Sequence, residues 1–246
     1  MLAPEGSVPL EMWSGRYFER YELDFAVNCL QPGMTFVDIG ANVGLFSIPA
    51  AKKLQRGNVY AFEPASSTFQ LLINNVRLNQ LDNVHLVRSA LGDYRGEAVL
   101  HLNVPGKDGL NTIGRPTHDC SEVVGTERVP VTTLDAFLQS SGIAHVDLLK
   151  VDVEGAELLV FRGAAELLAR PDAPLILYES GFLSKGFGYH PVETIWFLER
   201  YGFSFFVIDS YTGKISVPRG DGAYGAVLIA VKPAHPSYPA IIGTLS

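Results

Sequence analysis

The chain has 246 residues, 47% hydrophobic and 18% charged, which supplies a large core and excludes a mainly disordered chain. The 19 Lys and Arg against 26 Asp and Glu give a formal charge of −7 with no basic cluster, so nucleic acid is not an expected partner. Cys29 and Cys120 lack metal-ligand spacing and point to a reducing, cytoplasmic setting.

The opening residues lack the basic start and apolar run of a signal peptide. Trp13, Tyr17, Phe18 and Tyr21 trace a helix face suited to core or lid packing, so residues 1–30 are expected to form a helical extension on a core spanning 33–232 of a single domain. TFVDIG (35–40), after the turn signal Pro32-Gly33, reads as a buried strand. A helix is expected from Val43 to Leu54, then a strand at VYAFEP (59–64). Ser67 and Gln70 form a capping box for a helix whose apolar face holds Phe69, Leu72, Ile73 and Val76.

VHLVRSAL (84–91) reads as a third strand and GEAVLHLN (96–103) as an added one. Residues 104–127, rich in Gly, Pro, Thr and Asp, read as a long loop of the kind that usually serves function. VPVTTLDAFLQ (129–139) is a strand leading into a helix, and VDLLKVDV (146–153) is the next buried strand. The helix after it carries Gly163, a candidate break. LILYES (175–180) is a strand. The helix that follows has His190 as a candidate cap, Pro191 in its first turn and Gly202 as its stop. FSFFVID and GAVLIAV close the series. No stretch is long and apolar enough to span a membrane. Repeated β-α-β units predict a mostly parallel sheet covered by helices on both faces, with ligands at the C-terminal edge of the strands.

That edge is where the chemistry-bearing residues fall. Asp38-Ile39-Gly40-Ala41-Asn42-Val43-Gly44 ends the first strand. Gly40 permits a sharp turn and close ligand approach, Asn42 tolerates a left-handed backbone, and the N–H groups at the following helix start favour an anion. The dinucleotide pattern G-x-G-x-x-G is met only at Gly40, since Asn42 and Leu45 take the other two glycine positions. This suits a small carboxylate better than a pyrophosphate and speaks against a nicotinamide dehydrogenase. Glu63, 23 residues after Gly40, stands where an acidic residue accepts hydrogen bonds from a ribose diol.

Asp152 and Glu154 are two apart in an extended segment and can face one cleft, where they would favour a cationic ligand. Glu154 is equally placed to cap the next helix. Two carboxylates could also bind a hard divalent metal with waters, but no third ligand is evident from spacing, so no metal is expected. His190 is a candidate general base, or a helix-capping or solvated histidine. The six histidines show no metal-helix spacing. Asn111 and Thr112 are small polar residues that could line an acceptor pocket.

DIGANVGLFS, YAFEP, NNVRLNQLDNVHLVRSALGDYRGEAVL and LLKVDVEGAELLVFRGA together resemble the FkbM-type methyltransferase family over roughly Gly33 to Ser180. The resemblance implies a Rossmann-like class I methyltransferase fold, with a seven-stranded, mostly parallel sheet whose last strand is antiparallel. It also implies S-adenosyl-L-methionine as methyl donor and an acceptor hydroxyl on a small molecule, sugar or secondary metabolite. Carried over residue by residue, Asp38, Gly40, Asn42 and Gly44 would surround the methionine moiety and Glu63 would hold the ribose. Ala90, Leu91 and Asp93 would lie near the adenine, while Asp152 and Glu154 would face donor and acceptor. Missing Pro-Pro and Pro-Cys pairs argue against base N-methylation and cytosine C5 chemistry. The rival from another class is a non-catalytic binding module on the same fold.

Overall fold

A computed structural model describes residues 19–104, 108–115, 122–218 and 225–245. Its elements in chain order are α1 (Arg20–Cys29), β1 (Thr35–Ile39), α2 (Ser47–Leu54), β2 (Asn58–Phe62), α3 (Ser66–Leu78), β3 (Val84–Val87), β4 (Ala90–Leu91), β5 (Gly96–Asn103) and β6 (Val123–Thr132). There follow α4 (Leu134–Ser140), β7 (Leu148–Val151), α5 (Glu157–Arg162), α6 (Ala165–Ala169), β8 (Leu175–Ser180), α7 (Val192–Glu199), β9 (Ser204–Ile208), β10 (Ile215–Ser216), β11 (Ala226–Val231) and α8 (Tyr238–Gly243).

The main sheet runs β10-β9-β11-β8-β7-β1-β2-β3. β8, β7, β1, β2 and β3 are mutually parallel, and β11 inserts antiparallel between β8 and β9. The expected seven-stranded sheet is therefore present, extended at one edge by the two-residue β10. Alternation along each strand feeds two cores. Phe36, Leu148, Leu177 and Ile229 face one side, with Leu72 of α3 and Ile241 of α8. Val37, Leu149, Tyr178 and Leu228 face the other, with Leu134 of α4, Phe161 of α5 and Leu198 of α7.

Several local expectations are corrected. The helix expected from Val43 begins at Ser47, because residues 42–46 are spent on the turn after β1. Residues 84–91 divide into β3 and β4, and β4 joins a separate three-stranded sheet, β4-β6-β5. Part of the long loop expected at 104–127 is the start of β6, which pairs antiparallel with β5. The Ser67–Gln70 capping box does not form, since α3 starts at Ser66 without a side-chain cap and Gln70 bonds Asn74 instead. The helix after β7 does break at Gly163, where a Cβ would lie 2.0 Å from the Gly92 carbonyl oxygen. Trp13, Tyr17 and Phe18 lie outside the described residues. Tyr21 packs against the first core, its ring over Gly213.

Candidate active site

A cavity of about 490 Å³ opens at the C-terminal edge of β1, β2, β7 and β8. Its first wall is the turn after β1. Gly40 (φ 78°) cannot carry a side chain, because a Cβ would stand 1.8 Å from the Asp152 carbonyl oxygen on the neighbouring strand. Asn42 adopts φ 49° and donates its N–H to Glu63 Oε2 at 3.1 Å. Glu63 Oε1 accepts from Ala65 N–H at 2.9 Å, so one carboxylate ties the two turns together. Burial pushes the Glu63 carboxyl up to about 7, against the pull of those two donors. Gly40, Asn42, Glu63, Ala90 and Leu91 all line the cavity.

Asp38 and Gly44 sit behind this wall and not among the lining residues. Asp38 is fully buried, accepts from Ser47 Oγ at 2.6 Å and lies 3.7 Å from Lys150 Nζ, so it anchors the start of α2. Gly44 (φ 96°) allows Leu72 and Ile48 to pack closely. Asp93 is exposed and also absent from the lining.

The second wall is the turn after β7. Asp152, Glu154 and Glu179 each bring an oxygen within 4.8 Å of the other two. Spacing alone did not reveal the third of these carboxylates, because it comes from β8. Three oxygens so close form a geometry a hard cation can share. Glu154 is held at φ 54° and followed by Gly155 at φ 99°, where a Cβ would strike the Leu183 backbone at 2.4 Å. The turn is gripped from outside: Tyr189 Oη donates to the Gly155 carbonyl, and Leu158 N–H donates to Tyr189 Oη at 3.1 Å. Thr112 Oγ1 donates to the Glu154 carbonyl at 3.1 Å, which brings the segment Gly109–Ile113 over the cavity, with Asn111 in its lining.

Three residues escaped the sequence reading. Lys150 is the one buried cation among the described residues, and its Nζ donates to the Gly40 carbonyl at 3.0 Å and Asp152 Oδ2 at 3.1 Å. Burial disfavours the ammonium, but Asp152, Asp38 and Glu19 outweigh burial and hold it protonated. Its signal was visible in LLKV, a lysine inside a strand whose four residues are all buried. Glu157 opens α5 and ties down the turn before it, accepting from Gly155 N–H at 3.1 Å and Val153 N–H at 3.3 Å, and the capping of this helix expected of Glu154 does not form, since its N-terminus has no side-chain cap. Glu179 is the third, pushed up to about 8 by burial, then by Asp152 and Glu157.

His190 is not brought to the cavity. It is exposed ahead of α7, its backbone N–H donates to Glu193 Oε1 at 2.9 Å, and it is absent from the lining. Its position serves the helix start, where Glu193 reaches back in the manner of a capping box.

The profile of the "Methyltransferase FkbM domain" matches residues 38–205, more than half the chain. "Methyltransferase 1" of Beauveria bassiana is 33% identical over 143 residues, covering 52% of this chain and 57% of that protein. "31-O-demethyl-FK506 methyltransferase FkbM" of Streptomyces tacrolimicus is 29% identical over 181 residues, covering 63% of this chain and 67% of that protein. The chain thus spans less than two thirds of the length of the Beauveria relative. Among solved structures, a putative rRNA methylase from Clostridium thermocellum superposes with a TM-score of 0.50 at 11% identity, covering 86% of this chain and 92% of that one, a likeness of fold alone. No helix among the described residues is long and apolar enough to cross a membrane. On the extent of the domain match, the chain belongs to the FkbM methyltransferase family.

Proposed function

We propose that this chain is an S-adenosylmethionine-dependent O-methyltransferase acting in the cytoplasm on a hydroxyl of a small molecule, sugar or secondary metabolite. The observation that carries the reading is the first wall: a side-chain-free turn at Gly40, beside a buried carboxylate at Glu63, on one large cavity at the strand edge. This fits a nucleoside amino acid. Glu63 has two oxygens for two ribose hydroxyls, now lent to the backbone N–H groups of Asn42 and Ala65. The turn 40–43 would receive the methionine carboxylate. Ala90 and Leu91 would flank the adenine, with Leu100 of β5 beside them.

S-Adenosylmethionine, when bound, supplies an electrophilic methyl group on a sulfonium. Asp152 and Glu154 would set negative charge beside that cation. Lys150 cannot serve as proton acceptor, being held as an ammonium by Asp152 and Asp38. Its work is structural, tying the Gly40 turn to the end of β7. Walls that are buried and largely apolar at Phe46, Phe62 and Leu100 keep water from competing with the acceptor. The Streptomyces relative, named for a 31-O-demethyl substrate, supports a hydroxyl acceptor. The test is transfer of label from methyl-labelled donor to a panel of hydroxylated sugars and metabolites. Label in an ether product is expected; donor binding without transfer to any panel member would favour the binding-module alternative.

A further inference from the structure

We propose that Asn111, on the segment Gly109–Ile113 over the cavity, holds the carboxylate of the methyl donor, with Asn42 facing it from the turn after β1; this deepens the donor reading above and rests on it. The backbone of that turn is nearly spent. Gly40 and Ala41 donate their N–H groups to the Phe62 carbonyl at 3.0 and 2.9 Å, Asn42 donates to Glu63 at 3.1 Å, and Gly44 donates to the Ala41 carbonyl at 2.8 Å. From Gly40 to Gly44, Val43 N–H alone has no partner among the described residues. One N–H is too few for a carboxylate, whose two oxygens together accept several hydrogen bonds, so side chains must supply the rest.

Two side-chain amides meet at this place. The Asn42 side chain has no hydrogen-bond partner among the described residues, and a Cβ added to Gly109 would stand 3.9 Å from its Nδ2. Asn111 follows two residues later on the same segment and lines the cavity. Its amide can point only one way. Asn103 N–H donates to Asn111 Oδ1 at 2.8 Å, and a backbone N–H is matched only by the oxygen of an amide, so the oxygen is committed and the NH₂ is left over. Nδ2 has no partner among the described residues. The residues on either side are clamped: the buried Asn103 side chain donates to the Leu110 carbonyl at 2.7 Å, and Thr112 donates to the Glu154 carbonyl at 3.1 Å. The cations of the lining are directed elsewhere. Lys150 faces the Gly40 carbonyl, Asp152 and Asp38, and Lys185 is exposed on the segment packed against the turn after β7. That second wall presents the oxygens of Asp152, Glu154 and Glu179, whereas Asn42, Asn111 and Val43 N–H present the donors a carboxylate needs.

The test needs no acceptor. Two ligands are titrated calorimetrically: S-adenosylhomocysteine, and its decarboxylated analogue, which keeps the adenosine, the sulfur and the amine. Asn111→Asp keeps the oxygen that receives Asn103 N–H and replaces the NH₂ by an oxygen that repels a carboxylate. In this variant the affinity for S-adenosylhomocysteine is expected to fall about tenfold or more, the cost of one lost charge-assisted contact, while the affinity for the analogue does not fall. Asn111→Ala is expected to show the same split. Retained binding of the analogue reports an intact fold and nucleoside site. Equal losses for the two ligands, or no loss for either, would overturn the role given to Asn111 while leaving the donor reading standing. So would a carboxylate-selective loss in Lys185→Ala with none in Asn111→Asp, which would move the carboxylate to the second wall. Binding of neither ligand to the wild type would overturn both.

Discussion

The two walls of the cavity are built on different principles. In the first, between β1 and β2, backbone shape does the work: Gly40 and Asn42 adopt left-handed conformations, and the one carboxylate, Glu63, has backbone N–H donors on both oxygens. In the second, between β7 and β8, charge dominates: Asp152, Glu154 and Glu179 crowd together beside the buried Lys150 ammonium. The first is fixed by backbone hydrogen bonds, whereas in the second burial and mutual repulsion raise the Glu154 and Glu179 carboxyls. Lys150 joins them through its side chain, bonding the Gly40 carbonyl on one side and Asp152 on the other.

Cutting that join should have the largest effect. Lys150→Met leaves Asp38 and Asp152 without their cation and is expected to lower stability by about 3–5 kcal/mol, read by denaturant unfolding. A loss below about 1 kcal/mol would mean that the walls stand independently. Next, Gly40→Ala forces a methyl group into the Asp152 carbonyl, with an expected loss of about 2–4 kcal/mol and of donor binding together. Retained donor affinity there would refute the claim that backbone shape makes the first wall.

How far each wall was legible in the sequence follows from the same contrast. The first is local: Asp38 to Gly44 is one continuous turn and Glu63 ends the adjacent strand, so spacing sufficed to find them. Even so, spacing could not tell Gly40, which lines the cavity, from Asp38 and Gly44, which support it from behind. The second is assembled across strands. Glu179 stands 25 residues beyond Glu154 in sequence and meets it only because β8 pairs with β7. His190 looked well placed by its order in the chain, yet the segment 181–189 carries it past the cavity to the start of α7. The parallel sheet was readable from its buried strands. The β4-β6-β5 sheet was readable only in part: β5 and the end of β6 stand where strands were expected, but the first half of β6 is largely exposed and lies inside a stretch rich in turn formers.

Titration sharpens the contrast further. Glu63 and Glu157 stand near 7 in the fold, raised by burial from an ordinary value of 4.5. A carboxyl raised in this way holds a proton that the unfolded chain gives up, so its contribution to stability is full below about 4.5 and is lost as pH rises to about 7. Glu179, near 8, extends that loss by a further unit. The melting temperature of the ligand-free chain should therefore fall by several degrees between pH 5 and pH 8. A rise over the same interval would contradict the raising of Glu63, Glu157 and Glu179 by burial. The smallest effect is expected at His190→Ala: single-turnover transfer, once an acceptor is in hand, should stay within about threefold of wild type, since the side chain is outside the cavity. A loss of 10²-fold or more, the usual contribution of a positioned base, would return the histidine to the mechanism.

The central claim is that the first wall holds the nucleoside of the methyl donor, and calorimetric titration of S-adenosylhomocysteine into the wild-type chain and Glu63→Ala tests it most directly. The account predicts one site on the wild type, no binding of NAD, and an affinity at least tenfold weaker in Glu63→Ala, from the loss of hydrogen bonds between ribose hydroxyls and a charged group. Equal affinity in the two proteins would contradict it.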